Sequence, residues 1–87
     1  MKNENLYTTP SLDLAAALIA SSLATLKNIE FSTNSPKAYF VLNGITKTDL
    51  DRGLELFWAK DLIVDASTYF ETLKSLKSRL YEVKNAR

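Results

Sequence analysis

Between Leu12 and Ala20 the chain places a single polar residue, Asp13, among nine. No other segment restricts the fold as strongly. The run is far too short to cross a bilayer, which takes about 20 residues. Wound as a helix, it puts Leu12, Ala15, Ala16, Ile19 and Leu23 on one stripe and Leu14, Ala17 and Leu18 on another. A helix that is apolar on most of its girth has to be enclosed on most sides. A chain of 87 residues builds one domain with one modest core. This helix, predicted to run to about Ala24, is therefore expected at the centre of the fold. Thr8-Thr9-Pro10-Ser11 marks its start. Either Thr9 caps it with Pro10 at the first helical position, or Ser11 caps it with Asp13 in the first turn. A secretory leader would occupy the same place, but Glu4 before the run and Asp13 inside it argue for a buried first helix instead.

Residues 1–8 are polar and expected to form a flexible tail. After the first helix, Leu26 to Phe31 reads as a strand, and Ala38-Tyr39-Phe40-Val41-Leu42 as a stronger one. The second run is aromatic, β-branched and apolar on both faces, which predicts a covered strand. Ser32-Thr33-Asn34-Ser35-Pro36 between them is a turn cluster, so the pair reads as an antiparallel hairpin. Asn43-Gly44 closes it, with the glycine free to take positive φ.

Thr46-Lys47-Thr48-Asp49 opens a second helix, capped through Thr46 with Asp49 or through Thr48 with Asp51. Leu50, Leu54, Phe57 and Trp58 read as one face of it. Gly53 in mid-helix costs about 1 kcal/mol relative to Ala, which points to close approach of another element. Lys60-Asp61 breaks the helix, and Leu62-Ile63-Val64 reads as a short third edge strand. Asp65 is placed to cap the last helix, with Val64 and Tyr69 as a hydrophobic staple. Tyr69, Leu73, Leu76, Leu80 and Val83 form the apolar seam of that helix. The predicted fold class is α+β, in the order α-β-β-α-(β)-α, with a small antiparallel sheet covered by helices in a single domain.

These segments also carry a resemblance. The succession Ser11-Leu12-Asp13-Leu14-Ala15-Ala16-Ala17-Leu18, Lys37-Ala38-Tyr39-Phe40-Val41, Phe57-Trp58 with Leu62-Ile63-Val64-Asp65, and Leu73 to Tyr81 is similar to a family of short proteins of phages and small-genome or uncultivated bacteria, known as a domain of unknown function. It extends from Thr9 to Tyr81. Members usually carry a Gly shortly after the aromatic pair, where this chain has Ala59-Lys60, so the tightness of that turn is in question. The resemblance implies a common fold and no site residue.

Composition narrows the function. The chain has no Cys, hence no disulfide staple, which fits a reducing, cytoplasmic setting. It has no His, the commonest general base and transition-metal ligand. Ser75 and Ser78 lie near Lys74 and Lys77, but a Ser–Lys pair needs a buried, deprotonated lysine. Asp49, Asp51 and Glu55 cluster on the second helix, where a first turn favours acids without any metal. Gly44 and Gly53 are isolated, so no phosphate loop is present. The expectation is a non-enzyme with no cofactor, metal, small-molecule substrate or membrane.

Two surfaces remain as candidates. Residues 72–87 hold five bases and one acid, a net of +4, against six bases and nine acids, a net of −3, in residues 1–71. Lys74, Lys77, Tyr81, Lys84 and Arg87 are the candidate nucleic-acid contacts on this helix, bordered by Phe70. Trp58, Leu62 and Val64 are the candidate protein interface, through an aromatic anchor and the unpaired backbone of an edge strand. A protein-interaction or self-associating module is the first reading, and a nucleic-acid accessory protein the alternative.

Overall fold

The central apolar run of the chain becomes the central strand of its sheet. A computed structural model describes residues 5–31 and 37–85. In it, β1 (Leu6–Thr9), α1 (Leu12–Ala20), β2 (Ala24–Phe31), β3 (Ala38–Gly44), α2 (Lys47–Trp58) and α3 (Ala66–Asn85) follow one another. The three-stranded sheet has the order β1-β3-β2, and both pairings are antiparallel. The class is α+β, as the sequence predicts.

Strand β3 pairs with β2 from Phe31↔Ala38 to Ala24↔Gly44, with a register shift between Leu26 and Asn28 that leaves Lys27 as a bulge. On its other side it pairs with β1, from Leu6↔Asn43 to Thr9↔Phe40. Flanked on both edges, Phe40, Val41 and Leu42 are all buried although they point to opposite faces. Phe40 and Leu42 join the core with α1, Leu50 of α2 and Leu76 of α3, so the helices cover this one face. Val41, on the other face, lies between its register partners Thr8 and Asn28.

The third strand is thus Leu6–Thr9, with its first three residues expected in a flexible tail and its last a candidate helix cap, and Leu62–Val64 joins no sheet. Tyr7, Thr8 and Thr9 are good strand formers, but four residues without apolar alternation give no strand signal by themselves. The exposed edge of β3 supplies what they lack. Asn5 extends the pairing: its carbonyl accepts from the Gly44 N–H at 2.8 Å, and its own N–H donates to Asn43 Oδ1 at 3.3 Å.

Helix α1 touches all five other elements. Leu14, Ala15, Ala16, Ala17 and Leu18 are buried in succession, which leaves its middle no solvent face. Of the two possible caps Ser11 is the one used: its Oγ accepts from the Leu14 N–H at 3.2 Å, while Thr9 Oγ1 accepts from the Ser11 N–H at 3.0 Å. The helix stops at Ala20, four residues short of the expected end. There Ser22 takes φ 63°, its N–H donates to the Ile19 carbonyl, and the Leu23 N–H donates to the Leu18 carbonyl. Helix α2, capped by Thr46 onto the Asp49 N–H at 3.0 Å, ends the same way. Lys60 takes φ 64°, its N–H donates to the Phe57 carbonyl and that of Asp61 to the Leu56 carbonyl. Both ends are Schellman motifs with a residue other than glycine at the left-handed position. The turn after the aromatic pair is therefore tight without the glycine that the resemblance leads one to expect.

Gly53 is buried, and a Cβ there would stand 2.7 Å from Leu23 Cδ1 and 2.8 Å from Leu18 Cδ2. The two leucines occupy the space a side chain would need. Gly44 acts similarly: a Cβ would meet Leu50 Cβ at 2.9 Å, and no glycine takes positive φ, contrary to expectation. The turn cluster at 32–36 lies outside the described residues.

Two expectations follow for stability. Gly53→Ala gains helix propensity of about 1 kcal/mol but overpacks against Leu18, which is fully enclosed, at a cost of about 1–3 kcal/mol. Urea unfolding should show a net loss of about 1 kcal/mol, and a gain would mean that the two leucines have room to move. Lys60→Gly and Ser22→Gly each relieve a left-handed residue. They should each stabilise by about 0.5–1 kcal/mol, a melting-point rise of about 2–8 °C, and a fall would contradict the Schellman assignment.

Candidate functional site

The end of α2 shapes the first candidate surface. After the left-handed turn at Lys60, the Asp61 and Leu62 N–H groups both donate to the Leu56 carbonyl, at 2.8 and 3.1 Å. The chain then runs without regular structure to Asp65, whose carboxylate accepts from the Thr68 N–H at 2.9 Å and the Thr68 hydroxyl at 3.0 Å, capping α3 as expected. Along this connection burial alternates: Leu62 and Val64 are half-buried, while Asp61, Ile63 and Asp65 are exposed. Alternation with period two is the mark of an extended segment, here outside any sheet.

The inward pair lines a cleft of about 400 Å³ together with Ala17, Phe57, Trp58, Lys60 and Tyr69. The three residues expected to form a protein interface, Trp58, Leu62 and Val64, therefore share one concavity. They do so through a loop rather than an edge strand, so no unpaired ladder is offered by Leu62–Val64. Trp58 packs edge-on against Phe57, with ring centroids 5.2 Å apart at 89°. It is nevertheless 68% exposed, and Ile63, between the lining residues Leu62 and Val64, is 91% exposed. Trp58 was expected to share the core face of α2. The face that packs is centred on Leu50, Gly53 and Phe57, and Trp58 lies about 100° from that centre at 3.6 residues per turn.

Sequence reasoning missed Tyr69 as part of this surface. Tyr69 serves the core seam and the cleft wall at once.

The outer face of α3 is the second candidate. Lys74, Lys77, Tyr81 and Lys84 are all exposed, and Arg87 lies outside the described residues. The Lys74 ammonium sits over the Phe70 ring, 5.3 Å from its centroid. On the inner side Leu76 is buried and Tyr69, Leu73 and Leu80 pack on the core, as the seam predicts.

A larger groove, about 700 Å³, runs between the flank of α3 and Ile19 and Leu26. Its α3 wall is mostly Thr68, Thr72, Ser75, Ser78, Glu71 and Arg79, which offers a partner no large apolar anchor. Two of the carboxylates of α2 have local roles: Asp49 lies in the first turn and Asp51 pairs with Lys47 at 3.3 Å. Among the described residues no three acidic side chains come together as a metal-binding group, and no buried side-chain polar atom lacks a partner. None of the described helices is long and apolar enough to cross a membrane.

No protein-family model, curated protein or solved structure matches this chain.

Two ionisable groups at the start of α3 have displaced pKa values. Burial, with a contribution from Asp13, raises Tyr69 above its ordinary 10.0. The backbone and hydroxyl hydrogen bonds of Thr68 hold Asp65 below its ordinary 3.8. A raised tyrosine means that the folded state binds the proton more tightly, so stability present below pH 10.0 is lost as pH climbs through the folded value. A lowered carboxylate contributes above 3.8 and loses that contribution as pH falls through the folded value. Urea midpoints measured against pH should decline at both limits. Tyr69→Phe should flatten the alkaline limb and Asp65→Asn the acid one; limbs unchanged in these variants would assign the declines to other groups.

Proposed function

We propose that this chain is a small, non-catalytic protein-interaction module that seats apolar side chains of a partner, or of a second copy, in the cleft beside Trp58. The observation that carries this reading is an exposed tryptophan lining a largely apolar cleft, with a further exposed apolar residue, Ile63, in the connection whose Leu62 and Val64 line the same cleft. Single exposed apolar residues are ordinary on any protein surface. A tryptophan 68% exposed, beside a cleft walled by Phe57, Leu62, Val64 and Tyr69, has the make-up of a binding hot spot. Burying it against a partner would remove its free face from water, a gain that folding alone leaves unrealised. The likeness to short phage and bacterial proteins is compatible with an accessory role, and adds no site residue to it.

Trp58 is the only tryptophan, so its fluorescence reports on this surface alone. Emission should shift to the blue as protein concentration rises, with sedimentation showing a dimer in parallel. Trp58→Ala and Ile63→Ser should each weaken association about 30-fold or more, the loss of a hot-spot residue worth about 2 kcal/mol, with thermal unfolding little changed. If the protein stays monomeric, self-association is excluded. A displayed library of amphipathic helical peptides, counter-selected with Trp58→Ala, then tests a foreign partner. Finding no Trp58-dependent binder in either experiment would sink the reading.

A further inference from the structure

We infer that the outer face of α3 is a separate site, one that binds single-stranded nucleic acid. Phe70, Lys74, Lys77, Tyr81 and Lys84 follow one another at spacings of four, three, four and three residues. At 3.6 residues per turn they fall within about 80° of the helix circumference. All five are exposed, with Phe70 at 60% and Tyr81 at 64%. The packing of Tyr69, Leu73, Leu76 and Leu80 on the core fixes the rotation of the helix and sets this stripe about 90° round from the seam, where its side chains stay exposed. The acids of the helix, Glu71 and Glu82, are set about 100–120° from the middle of the stripe. Two rings and three ammonium groups therefore share one line, with Lys74 and Lys77 between the rings and no carboxylate among them. The Lys74 ammonium over the Phe70 ring, at 5.3 Å, keeps cation and ring side by side.

The chemistry of this line selects its ligand. Three ammonium groups spread over about 15 Å of helix axis suit a string of phosphates rather than one. The surplus of +4 in residues 72–87, against −3 in the rest, steers a polyanion towards this helix. Phe70 and Tyr81 stand about 16 Å apart and offer flat faces to unstacked bases. A duplex keeps its base faces inside the stack, where rings lying on a helix surface cannot reach them, so the aromatics favour a single strand. An anionic membrane would require a continuous apolar face to insert. Here the apolar face of α3 is committed to the core, and lysines separate the outer rings.

The test uses the whole chain, with fluorescence anisotropy of labelled single-stranded DNA and RNA, the matching duplexes, and phosphatidylserine vesicles as competitors, at several salt concentrations. Single strands should bind with a log–log salt slope of about −2, as for three phosphates at about 0.7 each. Lys74→Glu with Lys77→Glu should abolish binding. Phe70→Ala and Tyr81→Ala should each weaken it about tenfold, with thermal unfolding unchanged because both rings lie outside the core. The inference is overturned by an absence of single-strand binding at low salt. It is equally overturned if duplex binds as tightly and the ring variants are silent, or if only the vesicles bind.

Discussion

The enclosure of α1 is the constraint on which the rest of this structure depends. Leu14, Ala15, Ala16, Ala17 and Leu18 leave the middle of the helix no face for water, so every other element is a wall around it. In a chain of 87 residues that demand uses most of the available material. The inner face of the sheet, through Phe40 and Leu42, makes one wall, and Leu50 of α2 and Leu76 of α3 belong to others. The alanines let the walls stand close, because a short side chain at the contact shortens the distance between packed elements.

Close approach then sets the local exceptions. Gly53 sits where Leu18 of α1 and Leu23 of the α1–β2 connection reach across, and Gly44 where Leu50 Cβ comes down on the end of β3. The ends of α1 and α2 also turn back without glycine. Ser22 and Lys60 both lie in the left-handed region, held by pairs of backbone hydrogen bonds that close the helix ends. Each trades some conformational energy for a satisfied helix terminus. The second turn has a functional consequence. By folding back at Lys60, it lays Leu62 and Val64 against α1 and α3 beside Trp58 and leaves Ile63 outside.

The two proposed surfaces are what the core left over. Helix α2 can aim only one arc at the core, and Gly53 sits near the middle of that arc because the approach there is closest. Trp58 falls beyond its edge and keeps a free face. Helix α3 gives its seam to α1, which turns Phe70, Tyr81 and the lysines outward as a group. In both cases packing distributes residues that local pattern alone would leave undivided.

Much of this could be read directly from residue order. The enclosed helix, the antiparallel hairpin, the Thr46 and Asp65 caps, the tightness at Gly53 and the seam of α3 all rest on near-neighbour chemistry: side-chain periodicity, hydroxyls and carboxylates beside free N–H groups, and a missing Cβ. Such signals survive in sequence because they act over a few residues. The misread segments depend on partners far along the chain. Leu6–Thr9 becomes a strand only because β3 offers it an edge more than 30 residues away. Leu62–Val64 carries the stronger apolar signal and yet joins no sheet, Leu62 and Val64 being taken up by the cleft and Ile63 left exposed. Sequence by itself determined which segments must be buried and where helices begin. Only the tertiary structure decided which apolar residues would be left outside, because the area of core available to each face is a property of the whole assembly and of no single segment.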